Sequence, residues 1–384
     1  MPFDSFLGNP NAVETIREML RADRLPGSLL FTGPDGVGKR TLALMMAKAS
    51  VCERLKGDFC GECRYCRRTD DMIVAATEDL AARRAMKDSG RRLDGLVYFD
   101  LQLIAPLTRN ILTDQIRQLR QIAYSRPFEL PRRFFVIDEA QTIHWQAVDL
   151  LLKVMEEPPS TTTIVLVCPN GGELRPTIRS RCQRIGFSQV DDDLIANLLE
   201  ERTELTGPRR ALVARLAGGS VGKALHLDLA AYMQLREPWL QFLDRVSAAL
   251  AQDQQPGGPG ARLTADWQGI FDSTRAITGS RESFADTLGI GYSLLRDLLA
   301  VLESGDRAPI AHQDLSTQLK PWASKLGFRG IELLKDGLDR AYRLQVRNAN
   351  QQLGLDSLAI ELIARKGGGR TATATQAVGP EVVD

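Results

Sequence analysis

The sequence predicts an α/β fold with a parallel sheet, followed by an all-helical C-terminal part. Three observations support this prediction. Apolar strand segments alternate with helical patterns in the first half, a glycine-rich stretch lies between a strand and a helix, and strand patterns nearly disappear after Gln189. The chain has 384 residues, which is long for one core, so we expect two or three domains.

The predicted elements alternate along the chain as an α/β fold requires. In chain order they are a helix over 11–22, a strand from Ser28, a helix from Lys39, a strand over 95–101, a helix from Thr113, a buried strand from Arg132, a helix over 147–157 and a β-branched strand from Thr161. Residues 67–92 are charged and rich in alanine, which predicts a solvated helix or hairpin. We assign no chemistry to that segment.

The stretch GPDGVGKRT, from Gly33 to Thr41, follows a predicted strand and opens a predicted helix. It nearly matches the pattern G-x-x-x-x-G-K-[ST], in which backbone N–H groups surround phosphates, the lysine reaches the β and γ oxygens and the hydroxyl binds magnesium. Arg40 stands where the pattern requires Ser or Thr, and Thr41 comes one residue late, which turns its side chain by about 100°. We therefore expect weak or absent magnesium-dependent hydrolysis, although the loop could still bind a phosphate. The predicted nucleotide-binding residues of the loop are Gly33, Gly36, Gly38, Lys39 and Thr41.

Asp138 and Glu139 follow the apolar run of FFVIDEA, at the predicted carboxyl end of a strand. Parallel sheets bind ligands at that edge. In a nucleoside triphosphatase the aspartate helps to hold magnesium and the glutamate polarises the attacking water. If Asp138 and Glu139 were an isolated acidic pair, the better interpretation would be an acidic loop that ends the strand and has no catalytic role. The glycine loop, about a hundred residues upstream, indicates that the pair descends from a nucleotide site. Such descent does not show that the site is active.

Four of the six cysteines lie close together in the sequence, at Cys52, Cys60, Cys63 and Cys66. Disulfides are rare in a reducing compartment, and four thiolates suit a closed structural zinc site that leaves no position for water. The alternatives are four free thiols and an iron–sulfur cluster, and no other redox feature supports the latter. We predict a structural zinc ion.

The formal net charge of +1 gives no overall attraction to nucleic acids or to anionic membranes, so any nucleic-acid contact would be local or shared. The sequence has no run of about eighteen apolar residues, and its N-terminus lacks the pattern of a secretory signal. These observations predict a cytoplasmic protein that does not associate with membranes.

These motifs resemble those of the AAA+ clamp-loader subunits of bacterial DNA polymerase III, most closely the delta-prime type, over about 3–366. The resemblance rests on the glycine loop, the cysteine set and the segments DSFLGN, FFVIDEAQTI, LLLKVMEEPPSTTTIVLV, TIRSRC, GGSVGKAL and NANQQLGLDSLAIEL. It implies an AAA+ module over 1–188 with an inserted zinc module at 52–66, a helical lid over 189–230 and a helical collar over 231–366. The composition of 367–384 predicts a disordered tail.

The resemblance also implies a role for Arg181 in the Ser-Arg-Cys motif. It would act as an arginine finger on ATP bound by a neighbouring subunit, because a guanidinium stabilises the charge of phosphoryl transfer. Arg179 and Arg184 are rival arginines in the same segment. The implied partners are delta and gamma/tau-type subunits in a hetero-oligomeric ring, with the sliding clamp and primed DNA reached through the assembly. ATP could bind at this chain's own site.

Two further positions depart from the pattern of active ATPases in this family. Cys168 and Pro169 stand where a polar sensor residue is usual, and Lys223 stands where the lid commonly has an arginine. Both departures favour a non-hydrolysing subunit. The alternative is an ATP-hydrolysing gamma/tau-type motor subunit that tolerates Arg40. A generic AAA+ ATPase outside replication is more distant, because the Ser-Arg-Cys motif and the helical C-terminal third argue against it.

Two apolar stripes recur at helical spacing in the C-terminal part. The ordinary interpretation is that these residues form an intramolecular helical core. The resemblance implies that some of them also contact other subunits in the collar. The stripe residues are Ile331, Leu334, Leu338 and Ala341 in one segment, and Leu355, Leu358, Ala359 and Leu362 in the next.

Overall fold

The computed structural model describes two compact units, of which the first ends at His226 and the second begins at Leu227. The predicted tail over 367–384 lies outside the described residues, as does most of the predicted strand over 95–101. The described residues are 2–86, 100–252, 265–279, 283–346 and 349–364.

A parallel sheet of five strands lies at the centre of the first unit. The strands are β1 (Ser28–Thr32), β2 (Leu101–Ile104), β3 (Arg133–Ile137), β4 (Thr162–Cys168) and β5 (Gln183–Gly186). Their order across the sheet is β2-β3-β4-β1-β5, and every neighbouring pair is parallel. Because the strands are parallel, their carboxyl ends meet at one edge. The predicted α/β class with a parallel sheet is confirmed.

Helices cover both faces of the sheet, which explains why the central strands are apolar at successive positions. Phe31 packs on one face with Leu42, whereas its neighbour Leu30 packs on the other face with Leu119 and Leu151. The helices of this unit are α1 (Pro10–Arg21), α2 (Lys39–Ser50), α3 (Arg64–Ala85), α4 (Thr113–Ala123), α5 (Val148–Glu156), α6 (Pro176–Arg179), α7 (Asp192–Arg202), α8 (Gly207–Leu216) and α9 (Val221–His226).

Strand β5 differs from the sequence prediction, and α3 decides between two predicted alternatives. Strand β5 is absent from that prediction because it is short and only Ile185 of its four residues is buried, so it lacks an apolar pattern. The sequence predicts a helix or a hairpin over 67–92, and the structure shows a helix, α3, as far as Ala85. Residues 87–92 lie outside the described part.

The regular secondary structure described in the second unit is all helical, as predicted. The eight stripe residues are all buried in one cluster, so the interpretation as an intramolecular core is confirmed. Among the described helices, none is both long and apolar enough to cross a membrane. The helices are α10 (Leu229–Gln252), α11 (Trp267–Thr278), α12 (Phe284–Ser304), α13 (Ser316–Val346) and α14 (Gln351–Ala364).

A buried polar cluster lies within this helical core. The ring of His312 has Nδ1 2.7 Å from Oδ2 of Asp297 and Nε2 2.7 Å from the hydroxyl of Tyr232. Burial would raise the pKa of Asp297, but hydrogen bonds from His312 and from the N–H of Ala311 outweigh it and lower that pKa. The cluster therefore keeps a buried carboxylate hydrogen-bonded, which links α10 and α12 to the segment before α13.

Candidate functional site

The glycine loop joins β1 to α2 at the carboxyl edge of the sheet. Gly33, Gly36 and Gly38 have φ angles of +145°, +73° and +95°, a region that other residues rarely adopt. A Cβ atom at Gly33 would lie 2.3 Å from the carbonyl oxygen of Phe187, and one at Gly38 would lie 2.8 Å from the ring of Phe6. The loop therefore requires glycine at these positions for both conformation and packing.

Lys39 is buried and directed at its own loop. Its Nζ donates hydrogen bonds to the carbonyl oxygens of Gly33 at 2.5 Å and Pro34 at 2.6 Å, and lies 3.5 Å from Oδ1 of Asp35. Burial lowers the pKa of Lys39, and the carboxylate of Asp35 opposes that shift. The ammonium must exchange these carbonyl contacts for phosphate oxygens before it can bind a nucleotide.

Arg40 contacts the carboxylate that would help to hold magnesium. Its Nη1 lies 3.3 Å from Oδ2 of Asp138, while the other oxygen of Asp138 accepts the N–H of Glu139 at 3.1 Å. Residue 40 is the position at which the motif supplies a metal-binding hydroxyl. A guanidinium thus replaces a neutral metal ligand and neutralises a charged one. Thr41 is exposed on the first turn of α2.

Arg84, at the end of α3, makes the corresponding contact with the second acidic residue. Its Nη2 lies 3.3 Å from Oε1 of Glu139, and its Nε donates to the carbonyl oxygen of Pro106 at 3.0 Å. Glu139 has a φ of +52°, which is uncommon outside glycine. Sequence reasoning missed Arg84, because its contact spans 55 residues and no motif marks it.

The segment GGSVGKAL packs against the glycine loop. The carbonyl oxygen of Gly36 accepts the N–H of Gly222 at 2.9 Å, and a Cβ atom at Gly36 would lie 2.0 Å from Oγ of Ser220. Lys223 follows Gly222 at the start of α9. The predicted lid segment therefore contacts the loop directly.

The end of β4 stabilises the loop rather than offering a polar sensor. The carbonyl oxygen of Pro169 accepts the N–H of Gly33 at 3.1 Å. The side chain of Cys168 is buried, and burial raises the pKa of its thiol to about 11. A thiol is a weaker hydrogen-bond donor and acceptor than the hydroxyl and amide groups of Ser, Thr and Asn.

Arg181 lies in an exposed segment and contacts the end of α5. Its Nη2 is 2.6 Å from Oε1 of Glu156, and its Nη1 donates to the carbonyl oxygen of Thr177 at 2.9 Å. Of the two rival arginines, Arg184 donates from Nε to the hydroxyl of Thr32 on β1 at 3.0 Å.

The four cysteines converge between α2 and α3. Their sulfur atoms all lie within 4.8 Å of one another, and those of Cys60 and Cys66 are 4.0 Å apart. A tetrahedral zinc ion with bonds of about 2.3 Å requires sulfur separations of about 3.8 Å. The arrangement therefore fits a metal ion, with Cys63 and Cys66 buried and Cys52 and Cys60 half-buried.

Backbone amides donate to these sulfur atoms. The N–H groups of Cys60, Cys63 and Cys66 donate to the sulfurs of Cys52, Cys60 and Cys63 at 3.4, 3.3 and 3.5 Å. The N–H of Glu62 is the main reason that the pKa of Cys60 falls to about 6, whereas burial raises the pKa of Cys66. Amide donors favour thiolate, which is the form that binds metals.

Comparisons with known proteins find similar subunits of DNA polymerase III. The model of a family described as "DNA polymerase III, delta subunit" matches residues 8–191. The delta prime subunit of DNA polymerase III from Bacillus subtilis is 24% identical over 317 residues, which cover 82% of this chain and 84% of that protein. The gamma/tau subunit of Mycoplasma pneumoniae is 24% identical over 83% of this chain and 44% of its own length.

The chain spans less than half the length of the gamma/tau and tau relatives that it matches. A solved structure of a DNA polymerase III gamma subunit-related protein from Thermotoga maritima aligns with 92% of this chain and 99% of its own, at 16% identity and a TM-score of 0.44. By the family match over residues 8–191 and by the delta prime and gamma/tau relatives, the chain is similar to subunits of DNA polymerase III.

Proposed function

We propose that the chain is a delta-prime-type clamp-loader subunit that does not hydrolyse ATP itself. In this role it helps to load the sliding clamp onto primed DNA and donates Arg181 to ATP bound by a neighbouring subunit. The main support is the 3.3 Å contact between Arg40 and Asp138, because phosphoryl transfer needs a metal ion at that carboxylate. The buried thiol of Cys168 supports the same conclusion.

The surroundings of Arg181 suit a residue that acts outside its own chain. The guanidinium lies in an exposed segment, and its charged partner is Glu156, whose side chain is also exposed. An exposed ion pair contributes only about 0.2–1 kcal/mol, so a triphosphate on a neighbouring subunit can replace Glu156 as the acceptor. In the separate chain Glu156 holds Arg181 in place.

The cysteine cluster has a structural role in this proposal. Four thiolates would hold one zinc ion and leave no coordination position for water or substrate. Cys63 also caps the N-terminus of α3, since its sulfur accepts the N–H of Cys66. The metal would fix the start of the helix whose other end brings Arg84 to Glu139.

The domain division and the partners follow from the same proposal. Residues 1–188 form the AAA+ module, 189–230 the lid and 231–366 the collar, in a cytoplasmic hetero-oligomeric ring with delta and gamma/tau-type subunits. The buried stripes hold this chain's own helical core, so collar contacts must use other side chains. Among those exposed on the same helices are Phe328, Leu353 and Ile360.

The alternative is a gamma/tau-type motor subunit, which the gamma/tau relatives support as well. The two functions differ in whether this chain turns over ATP. We expect the purified chain to show no magnesium-dependent ATP hydrolysis, and to purify from its native cells together with delta and gamma/tau-type subunits. Steady hydrolysis by the chain alone would establish the motor function, and purification without replication subunits would contradict both.

A further inference from the structure

We infer that the glycine-loop site binds a nucleoside polyphosphate without magnesium, with Arg40 and Arg84 supplying the charge that the metal supplies in active sites. This inference deepens the proposed function and rests on its premise that the chain does not hydrolyse ATP. It concerns which form of nucleotide this chain selects.

The charged groups at the loop neutralise one another in pairs. Lys39 lies 3.5 Å from Asp35, Arg40 lies 3.3 Å from Asp138 and Arg84 lies 3.3 Å from Glu139. Three positive and three negative side chains give these groups a formal charge of zero. Without the two arginines the same set would have a charge of minus two, which one magnesium ion would balance.

The two arginines contact the acidic side chains that a metal ion and its water would contact in an active site. One contacts the aspartate that would hold magnesium, and the other contacts the neighbouring glutamate. A magnesium ion would have to displace the guanidinium of Arg40 and then lie close to a permanent positive charge. The site therefore opposes the metal rather than merely lacking one of its ligands.

The site opposes a magnesium ion, but it can accept a nucleotide that carries no metal. The side chains of Arg40 and Arg84 are 48% and 42% exposed, so their ion pairs with the carboxylates are weak and open readily. A guanidinium binds phosphate oxygens through two parallel hydrogen bonds, and it can turn from a carboxylate to a phosphate. Because the glycine conformations of the loop are retained, its backbone N–H groups remain able to surround the phosphates.

The test is equilibrium binding of a fluorescent ADP analogue to the full chain, in EDTA and in excess magnesium. We expect the affinity in EDTA to equal or exceed that in magnesium. This comparison uses the unmodified chain and needs no variant that could fail to fold. Binding that requires magnesium would overturn the inference, and so would undetectable binding in both conditions.

Variants test the two arginines separately. Arg40→Ser restores the metal-binding hydroxyl, and we expect magnesium then to raise the affinity about tenfold, as coupled ligands commonly do. Arg40→Lys keeps the charge and should remain independent of magnesium. Arg84→Ala should weaken binding in EDTA about threefold to tenfold, because one phosphate contact is lost. Binding by Arg40→Ser that is still independent of magnesium would overturn the role assigned to Arg40.

Arg117→Ser is the matched control, since Arg117 is an exposed arginine that pairs with Asp114 on α4. This variant should bind the analogue as the unmodified chain does. The outcome is separable from the proposed function, which has its own tests in ATP turnover by the chain alone and in the effect of Arg181→Ala on a reconstituted loader. Magnesium-independent binding together with normal ATPase in a loader containing Arg181→Ala would remove the proposed function alone.

Discussion

Helix α2 has a candidate site at each end, and the two sites differ in the partners of their charged groups. At its N-terminal end, both acidic residues contact arginines of the same chain. Just beyond its C-terminal end, four sulfur atoms converge and accept hydrogen bonds from backbone N–H groups. By our inference, arginine side chains take the place of a metal ion at the first site, whereas the four sulfur atoms of the second lie close enough together to hold one.

Motif residues alone do not establish a metal site, and at the glycine loop one of them, the metal-binding hydroxyl, is replaced by Arg40. Lys39, Asp138 and Glu139 are all present, yet each has an internal partner of opposite charge or an internal acceptor. The cysteines have no charged partner among the described contacts, and their amide donors stabilise thiolate. The two ends of α2 therefore differ in the loss of one ligand at position 40 and in the partners of the ligands that remain.

The largest expected effect is at the cysteine end. Cys63→Ser combined with Cys66→Ser removes two buried ligands, so we expect loss of zinc and a fall in melting temperature of about 10 °C. Metal analysis and calorimetry measure the two effects. Cys182→Ser, outside the cluster, should retain one zinc per chain. Unmodified protein purified without chelator that contains far less than one zinc per chain would contradict the prediction.

The second-largest expected effect is that of Arg181, which lies outside both sites. Arg181→Ala should lower the DNA- and clamp-stimulated ATPase of a reconstituted loader about tenfold and slow clamp loading, without preventing assembly. A finger acting alone is worth about 10³ to 10⁵ in rate, and several sites share the work in a ring. Arg179→Ala, an exposed neighbour on α6, should change the rate less than about twofold. Equal losses in both variants would remove the assignment to Arg181.

Substitution of one glycine near each end of α2 tests how closely the two loops are packed. Gly36 and Gly61 have similar φ angles, +73° and +78°, but a Cβ atom at Gly36 would lie 2.0 Å from Oγ of Ser220, whereas one at Gly61 meets nothing within 4 Å. Gly36→Ala should therefore destabilise the chain by about 2–3 kcal/mol and Gly61→Ala by about 1 kcal/mol, as measured by denaturant unfolding. Similar losses would show that backbone strain alone, and not contact with Ser220, requires glycine at position 36.

Local patterns predicted much of this molecule. Strands β1, β3 and β4 were predictable because each is an apolar run buried on both faces, and the loop and the cysteine set have characteristic spacing. The sequence did not predict β5, most of whose side chains are exposed.

The interactions that decide function were not predictable from such patterns. The contact of Arg84 with Glu139 and the cluster of Asp297, His312 and Tyr232 join side chains from separate elements. A local pattern records which face of an element is apolar, but it does not record which distant side chain each polar group meets. Sequence patterns therefore identify the candidate site residues but not the side chains that they contact.

The smallest expected effect is that of Lys39→Ala, and it tests most directly whether the glycine loop is an active nucleotide site. In a motor subunit the loop lysine binds the β and γ phosphates, and its loss would stop turnover. Here Lys39 is buried against the carbonyl oxygens of Gly33 and Pro34, and its Nζ lies 3.5 Å from Oδ1 of Asp35. Lys39→Ala should therefore change clamp loading by the reconstituted assembly less than about twofold, with ATPase and loading measured together with Arg181→Ala.

A calorimetric comparison serves as the control for folding, because truncation of a buried lysine removes packing as well as charge. If Lys39→Ala remained folded and stopped loading as completely as Arg181→Ala, the glycine loop would be an active nucleotide site. The arginines at Asp138 and Glu139 would then have to leave those carboxylates during turnover, and the two ends of α2 would both be metal sites.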